Sequence, residues 1–308
     1  MNFISVTFLI FVGITFCLYY IVPYKMQWIV LLLASLLFYM LFDMKSVFFL
    51  LISTATVFLT AIYIYKCSRF RKGAVTLGIA VNIFFLVAFK YASFMEGMMY
   101  GGNIFAKFRE CVTERFSLII PLGISFYTLA LLGYLIDVYR HNYAPEKNFF
   151  KFLLFSSFFP HILQGPIARY DQLSGQFLEK HRLVYDRTMY ALQLMVWGYF
   201  KKMIIADRAS IFVDTVYSSY GIVGGTELLI ASIFYTIQIY ADFSGCMDLA
   251  SGVANLFGIE LIQNFRQPYL SRTIKEFWRR WHISLSSWYR DYLYIPIGGG
   301  IRDNTISM

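Results

Sequence analysis

A single histidine, His282, lies in the stretch of the chain whose residue types are best suited to chemistry. The spacing over residues 275–292 predicts one helix that begins after Thr273 or Ser271, and Glu276 can pair with Arg280 one turn on. One face of that helix would carry Trp278, His282, Leu285 and Tyr289, and the neighbouring face Phe277, Trp281, Ser284 and Trp288. His282 is therefore expected among large aromatic side chains.

Burial and nearby arginines both disfavour a charged imidazole, so this environment predicts a neutral His282. A neutral imidazole can take a proton from a hydroxyl nucleophile and act as a general base. The alternative is a core histidine that is simply satisfied by hydrogen bonds.

A second set of polar residues is expected to line a cavity, namely His161, Gln164, Asp242 and Ser244. Asp242 is equally compatible with an anchoring role at the membrane interface. No two histidines have the spacing of a metal site, and no cysteines form a CxxC pair. The sequence therefore predicts neither a metal centre nor a disulfide framework.

The elements that must position these residues are apolar helices. The chain is 58% hydrophobic and 15% charged, against about 25% charged in a typical soluble protein. A membrane helix needs about 20 apolar residues, and five uncharged runs approach or exceed that length: 1–24, 26–42, 46–65, 73–89 and 116–136. These runs predict an all-α polytopic membrane protein. The lipid bilayer that surrounds its helices is therefore one of its expected partners.

The basic loop over residues 66–72 is expected to be cytoplasmic by the positive-inside rule. Counting spans then places residues 96–115 outside and the loop that follows Arg140 inside. The excess of basic residues is explained by such loops, so nucleic acid is not expected as a partner.

The chain is expected to form a single membrane domain, 1–308, whose two parts differ in the regularity of their helices. Residues 1–140 should be regular spanning helices. Residues 150–299 should be broken or re-entrant, because Pro160 and Pro166 interrupt one apolar run and the runs at 189–200, 228–241 and 249–259 are short. Residues 300–308 form a divergent tail.

Several strings together resemble the membrane-bound O-acyltransferase family, and in particular its bacterial branch of alginate O-acetylation and teichoic acid D-alanylation. The strings are PLGISFY at 121–127, YLIDVYR at 134–140, FPHILQGP at 159–166, QIYADFSG at 238–245 and FWRRWHISLSSWYRDYLYIPIGG at 277–299. The resemblance implies a ring of spanning and re-entrant helices around a central funnel in a bacterial plasma membrane. It also implies transfer of an acyl group, expected to be acetyl, to a hydroxyl of an exported polysaccharide or cell-envelope polymer.

The resemblance makes His282 the first of two family histidines and thus a catalytic residue. Its motif neighbours would support the site: Trp278, Arg279, Arg280, Trp281, Arg290 and Asp291. No bound cofactor is implied. The acyl donor would be an acyl-CoA or acyl-carrier-protein thioester on the cytoplasmic side, and the acceptor, or a partner transferase, would lie in the periplasm or outside the cell.

The sequence ends at Met308, 26 residues after His282, whereas the family's second histidine is expected several tens of residues further on. The chain is therefore expected to be C-terminally truncated relative to the family and, alone, an incomplete enzyme. Two alternatives stay open from the residues. One is a catalytically inactive member of the family, and the other is a membrane transporter, which also uses broken helices and buried polar groups.

Overall fold

The computed structural model describes residues 4–67, 69–91, 121–162 and 164–299, and within these ranges it is helical without any strand. The first helices are α1 (Val6–Ile21), α2 (Gln27–Phe42), α3 (Met44–Lys66), α4 (Arg71–Leu86, continued by a π-helical turn over Val87–Tyr91) and α5 (Ile124–Tyr139). The later ones are α6 (Phe149–Ser157), α7 (Phe159–Ile162), α8 (Tyr170–Leu178), α9 (Tyr185–Tyr199), α10 (Asp207–Ser218), α11 (Gly225–Leu256), α12 (Ile274–Arg280) and α13 (Ile283–Tyr289).

The uncharged runs of the first half are helices in the structure, which confirms the prediction of an all-α polytopic membrane protein. By length and composition, four described stretches are able to cross a membrane: Tyr24–Phe42, Met44–Lys66, Arg71–Tyr91 and Gly225–Leu256. Helices α1 and α5 are apolar but shorter. The predicted outer loop at 96–115, the beginning of the run at 116–136 and the tail at 300–308 lie outside the described residues.

One of the contacts between the two halves of the chain is made by a buried phenylalanine, Phe159. Its ring lies 5.2 Å from Phe11 of α1, 5.9 Å from Phe38 of α2 and 5.9 Å from Phe257 at the end of α11, measured between ring centroids. Aromatic pairs at such distances add to the apolar burial of each ring. The short helix α7 is thereby fixed between the first helices and α11.

The predicted break near Pro160 is present, and protein surrounds it. Helix α6 ends at Ser157, and the backbone N–H of Phe159 donates to Ser35 Oγ of α2 at 3.2 Å. Phe158, Phe159 and Pro160 are buried. An unpaired backbone group is costly in lipid, so this irregular segment survives because α2 covers it and supplies an acceptor.

The prediction that residues 228–241 and 249–259 form separate short helices is wrong. They belong largely to the single 32-residue helix α11, which passes through Asp242 without a break. Likewise α9 does not end at Lys201 and Lys202, because a π-helical segment over Phe200–Ala206 carries it into α10. The charges did not end these helices because they pair with each other across the α9–α11 interface.

That interface is unusually close because two glycines face each other. A Cβ atom placed on Gly198 would lie 2.7 Å from the carbonyl oxygen of Gly245, and one on Gly245 would lie 2.9 Å from the carbonyl oxygen of Gly198. Small residues allow such backbone approach between membrane helices. The approach brings the lysines that follow Gly198 against the acidic face of α11.

The loops at 66–72 and 139–147 lie side by side. The Arg71 side chain donates to the carbonyl oxygen of Tyr139 at 2.9 Å, and the rings of Tyr65 and His141 are 6.4 Å apart. Two loops in contact must lie on the same side of the membrane, which agrees with the expectation that both are cytoplasmic.

Candidate active site

His282 lies at a break between two short helices, and this corrects the prediction of one helix over 275–292. Thr273 caps α12 through its side chain, as expected, and accepts from Glu276 N at 3.1 Å. The helix then ends, because Trp281 is extended and His282 has φ 45° and ψ 55° in the left-handed region. Left-handed backbone costs a residue with a side chain about 1–2 kcal/mol, so neighbouring contacts must hold it.

Those contacts come from the segment at 264–266. The backbone N–H of Ile283 donates to the carbonyl oxygen of Asn264 at 3.0 Å, and that of Ser284 donates to its Oδ1 at 2.8 Å. The same two segments share a further bond, in which the backbone N–H of Arg266 donates to the carbonyl oxygen of Arg280 at 3.0 Å. Asn264 thus supplies both acceptors for the first turn of α13, where the backbone donors of a helix otherwise lack partners.

Asn264 also contacts the imidazole. Its Nδ2 lies 3.3 Å from His282 Nδ1, and the edge of Phe243 packs at 4.8 Å between ring centroids. The half-buried His282 lies outside the helices that could span a membrane, and burial lowers its pKa from 6.5 to about 4. The imidazole is therefore neutral near pH 7, as predicted, although burial alone and not the arginines supplies the cause.

A cavity of about 920 Å³ opens on the other side of Asn264. Its wall includes Ser244 and Asp248 of α11, Lys201, and the arginines Arg266, Arg279 and Arg280. Arg280 forms an ion pair with Glu276 at 2.5 Å, as the sequence predicted. Arg266 and Arg279 have no carboxylate partner among the described residues, so the wall offers unneutralised positive charge.

An ion pair lies deep in the same wall. Lys201 Nζ is 2.5 Å from Asp248 Oδ2 and 3.1 Å from Ser244 Oγ, and the lysine side chain is only 10% exposed. Its neighbour Lys202 turns to Asp242 at 2.5 Å and Asp207 at 2.8 Å. The π-helical segment permits this, because it places two consecutive lysines against α11.

The end of the motif belongs to a different cluster, against α5. Asp291 pairs with Arg169 and with Arg290, and Tyr292 Oη donates to Asp137 Oδ2 at 2.5 Å. The guanidinium groups of Arg140 and Arg169 both lie over the Tyr292 ring, 5.6 and 5.5 Å from its centroid. This cluster anchors the segment after α13 to the YLIDVYR string.

The structure thus separates the residues that the motif suggested as site supports. Arg279 and Arg280 line the cavity, and Trp281 stacks on Phe277 at 5.5 Å behind it. Trp278 is exposed, whereas Arg290 and Asp291 lie in the α5 cluster. Their expected role in the site stays a prediction.

Of the four residues expected to line a cavity, Ser244 lines the described one. Asp242 is two residues earlier on α11 and so points to another face, where it meets Lys202. Gln164 is exposed, and His161 is 1% exposed beside Phe158. The two ring nitrogens of His161 have no hydrogen-bond partner among the described residues.

Comparison with known proteins identifies the family of this chain. Residues 64–308 match the model of the membrane-bound O-acyltransferase family, MBOAT. The chain belongs to this family. It is 36% identical over 300 residues to a protein named probable alginate O-acetylase AlgI of Pseudomonas aeruginosa, covering 96% of this chain and 56% of that protein.

Two further relatives of this MBOAT chain act on other polymers, according to their names. A peptidoglycan O-acetyltransferase of Helicobacter pylori is 33% identical over 87% of this chain and 55% of its own length. A teichoic acid D-alanyltransferase of Streptococcus thermophilus is 29% identical over 63% of this chain and 48% of its own length. The chain spans about half the length of the curated relatives it matches.

Sequence reasoning missed Asn264, Lys201 and Arg266 as residues of the candidate site. Lys201 ends an apolar run, and Asn264 and Arg266 belong to the polar string QNFRQ at 263–267, which lies upstream of the FWRRWH motif. Polar residues beside apolar segments were the available sign of a site. Lys201 and its partner Asp248 are 47 residues apart in the sequence, and Asn264 and His282 are 18 apart. Local spacing does not reveal contacts over such separations.

Proposed function

We propose that this protein is an O-acyltransferase of a bacterial plasma membrane, which transfers an acetyl group to a hydroxyl of an exported polysaccharide or cell-envelope polymer. The observation that carries the proposal is the neutral His282, which contacts Asn264, a residue in the wall of a cavity that is also lined by Arg266 and Arg279. The names of the relatives, which are O-acetylases or D-alanyltransferases, support the same chemistry.

The acyl donor is proposed to be an acyl-CoA or acyl-carrier-protein thioester that approaches from the cytoplasmic side. Both donors carry phosphate, and guanidinium groups pair well with phosphate oxygens. Arg266 and Arg279, which have no carboxylate partner among the described residues, are the groups available for that contact. The acceptor polymer, or a partner transferase, is proposed to reach the site from the periplasmic or outer side.

In the reaction, a hydroxyl oxygen of the polymer attacks the thioester carbonyl carbon, the carbon–sulfur bond breaks, and the hydroxyl proton leaves with the thiol. A neutral imidazole can assist by exchanging a hydrogen bond or a proton with the reacting oxygen. A neutral ring carries one N–H and one lone pair, so which of the two the reacting oxygen meets depends on the tautomer of His282.

The test uses the reading frame that contains this chain, expressed in a bacterium that lacks its own polysaccharide O-acetylase. Acetyl esters on the secreted polymer are measured for the natural protein and for His282→Asn. Asparagine tolerates left-handed backbone, so the variant removes the imidazole while it retains the local conformation. His141→Asn is the matched control, because His141 is exposed and also has positive φ, 61°.

The proposal predicts esters with the natural protein and with His141→Asn, and a loss of 10²-fold or more, roughly the contribution of general acid–base catalysis, with His282→Asn. Unchanged esters in His282→Asn would contradict it. Polymer that is no longer secreted, with esters never formed, would instead point to transport.

A further inference from the structure

The hydrogen bonds of Asn264 determine which nitrogen of His282 carries the proton. A backbone N–H can only donate, and the N–H of Ser284 points at one atom of the Asn264 amide at 2.8 Å. That atom must therefore be the amide oxygen. The other amide atom, 3.3 Å from His282 Nδ1, is then the NH₂ group.

The second contact of that NH₂ group agrees with this orientation. It lies 3.3 Å from the thioether sulfur of Met247, which is a weak acceptor and has no hydrogen to donate. The two amide hydrogens thus have two acceptors, Met247 Sδ and His282 Nδ1. An N–H at Nδ1 would instead face another N–H, which is repulsive.

We propose that Asn264 holds His282 in the tautomer with its proton on Nε2, so that the imidazole meets the reacting groups as a hydrogen-bond donor. Asn264 is a positioning residue in this account, because it acts through His282. A neutral ring with Nδ1 occupied by the Asn264 amide offers only Nε2–H, and Nε2 has no hydrogen-bond partner among the described residues.

The consequence rests on the proposed function. A donor at Nε2 fits an oxygen that gains negative charge, such as the thioester carbonyl oxygen during attack. No bond forms or breaks at the imidazole, and the proton stays on Nε2. The general-base role expected from sequence would require the opposite tautomer, with a free lone pair on Nε2.

The backbone around His282 makes this arrangement rigid. Asn264 accepts from Ile283 and Ser284 through two different oxygens, so neither its backbone nor its side chain can turn without losing a bond to α13. The left-handed conformation of His282 fixes the ring relative to the same turn. Such strained residues persist where the surroundings determine them, commonly at functional sites.

The test is nitrogen-15 NMR of the histidine-labelled chain in lipid nanodiscs, near pH 7. The chain has four histidines, and His282→Asn identifies the signals of His282 by their disappearance. The proposal predicts a neutral ring with its proton on Nε2. A proton on Nδ1, or a charged ring, would overturn it.

Asn264→Asp provides a second measurement with nearly the same side-chain shape. The carboxylate still accepts from Ser284 but cannot donate to Nδ1, so His282 is expected to move its proton to Nδ1 or to become charged. Asn255→Asp is the matched control, since Asn255 lines the same cavity but donates to Ser251 and not to His282. An unchanged tautomer in Asn264→Asp would contradict the proposal.

These measurements separate the inference from the proposed function. The NMR signals report the tautomer whether or not the chain transfers an acyl group. If Asn264→Asp does not fold, the signals of the natural chain still decide the question.

Discussion

At the scale of single residues, the left-handed conformation of His282 and its contact with Asn264 set the character of the site. The fixed amide supplies a donor to one ring nitrogen, and burial removes the charge from the ring. The protonation state and the orientation of the ring are therefore set before any substrate binds. Electrostatic preorganisation requires this.

The low pKa of His282 makes the stability of the protein depend on pH. Its pKa is lowered from 6.5 to about 4 in the folded chain, so between these values the unfolded chain binds a proton that the folded chain does not. Because of this histidine, the free energy of unfolding decreases as the pH falls from 6.5 towards 4. The effect is about 1–2 kcal/mol after allowance for its partial exposure.

The measurement is the thermal unfolding midpoint in nanodiscs at pH 7 and at pH 5. The decrease between the two should be smaller in His282→Asn than in the natural chain. His141→Asn, which changes an exposed ring, should leave the decrease as it is. An equal decrease in all three proteins would show that His282 is not held neutral by burial.

At the scale of the elements, the packing of α9 against α11 positions one wall of the cavity. Gly198→Ala would place a methyl group 2.7 Å from the Gly245 carbonyl oxygen and 2.8 Å from Leu249, so the helices must separate. We expect a loss of about 1–3 kcal/mol, typical of overpacking, seen as a lower unfolding midpoint.

Gly13→Ala is the control for that substitution. Gly13 also lies within a helix, α1, but its added Cβ would meet no atom within 4 Å. Alanine is favoured over glycine in a helix, so the midpoint should stay or rise slightly. Equal effects at both glycines would contradict a close α9–α11 contact.

The ion pair between Lys201 and Asp248 gives a second prediction for the same interface. Lys201→Met leaves a largely enclosed carboxylate without its partner, and we expect a loss of about 2–3 kcal/mol. The double variant Lys201→Met with Asp248→Leu should recover most of the loss. Lys72→Met, at an exposed lysine, should have little effect on the unfolding midpoint.

A double variant as unstable as the single one would contradict the pairing. The comparison also separates two possible roles of the pair, because a double variant that folds but transfers no acyl group would give the charges a part in the site.

Sequence predicted the first helices well because their lengths follow from the thickness of a bilayer. It misplaced the ends of α9 and α11, since Lys201 and Asp242 look like helix ends until their partners on the facing helix are known. The break at His282 was missed for the same reason, because it depends on Asn264 in a preceding loop. Spacing along one helix carries no information on such contacts.

At the scale of the whole molecule, the contact between the loops at 66–72 and 139–147 places both loops on one side of the membrane. We expect both loops in the cytoplasm. A variant that retains only Cys67, which is exposed beside the first loop, should react with a membrane-impermeant maleimide in inverted vesicles and not in intact spheroplasts. Labelling in spheroplasts would reverse the orientation, and with it the side proposed for the acyl donor.

The central claim, that His282 of this membrane protein serves acyl transfer, is tested most directly with purified protein. The protein encoded by the whole reading frame that contains this chain, and its His282→Asn and His141→Asn variants, would each be placed in nanodiscs with a labelled acetyl thioester and a polysaccharide acceptor, and ester-linked label on the polymer would be counted. The account predicts label with this natural protein and with His141→Asn, and a loss of about 10²-fold or more with His282→Asn. Equal label with His282→Asn, or none with the protein of the whole reading frame, would contradict it.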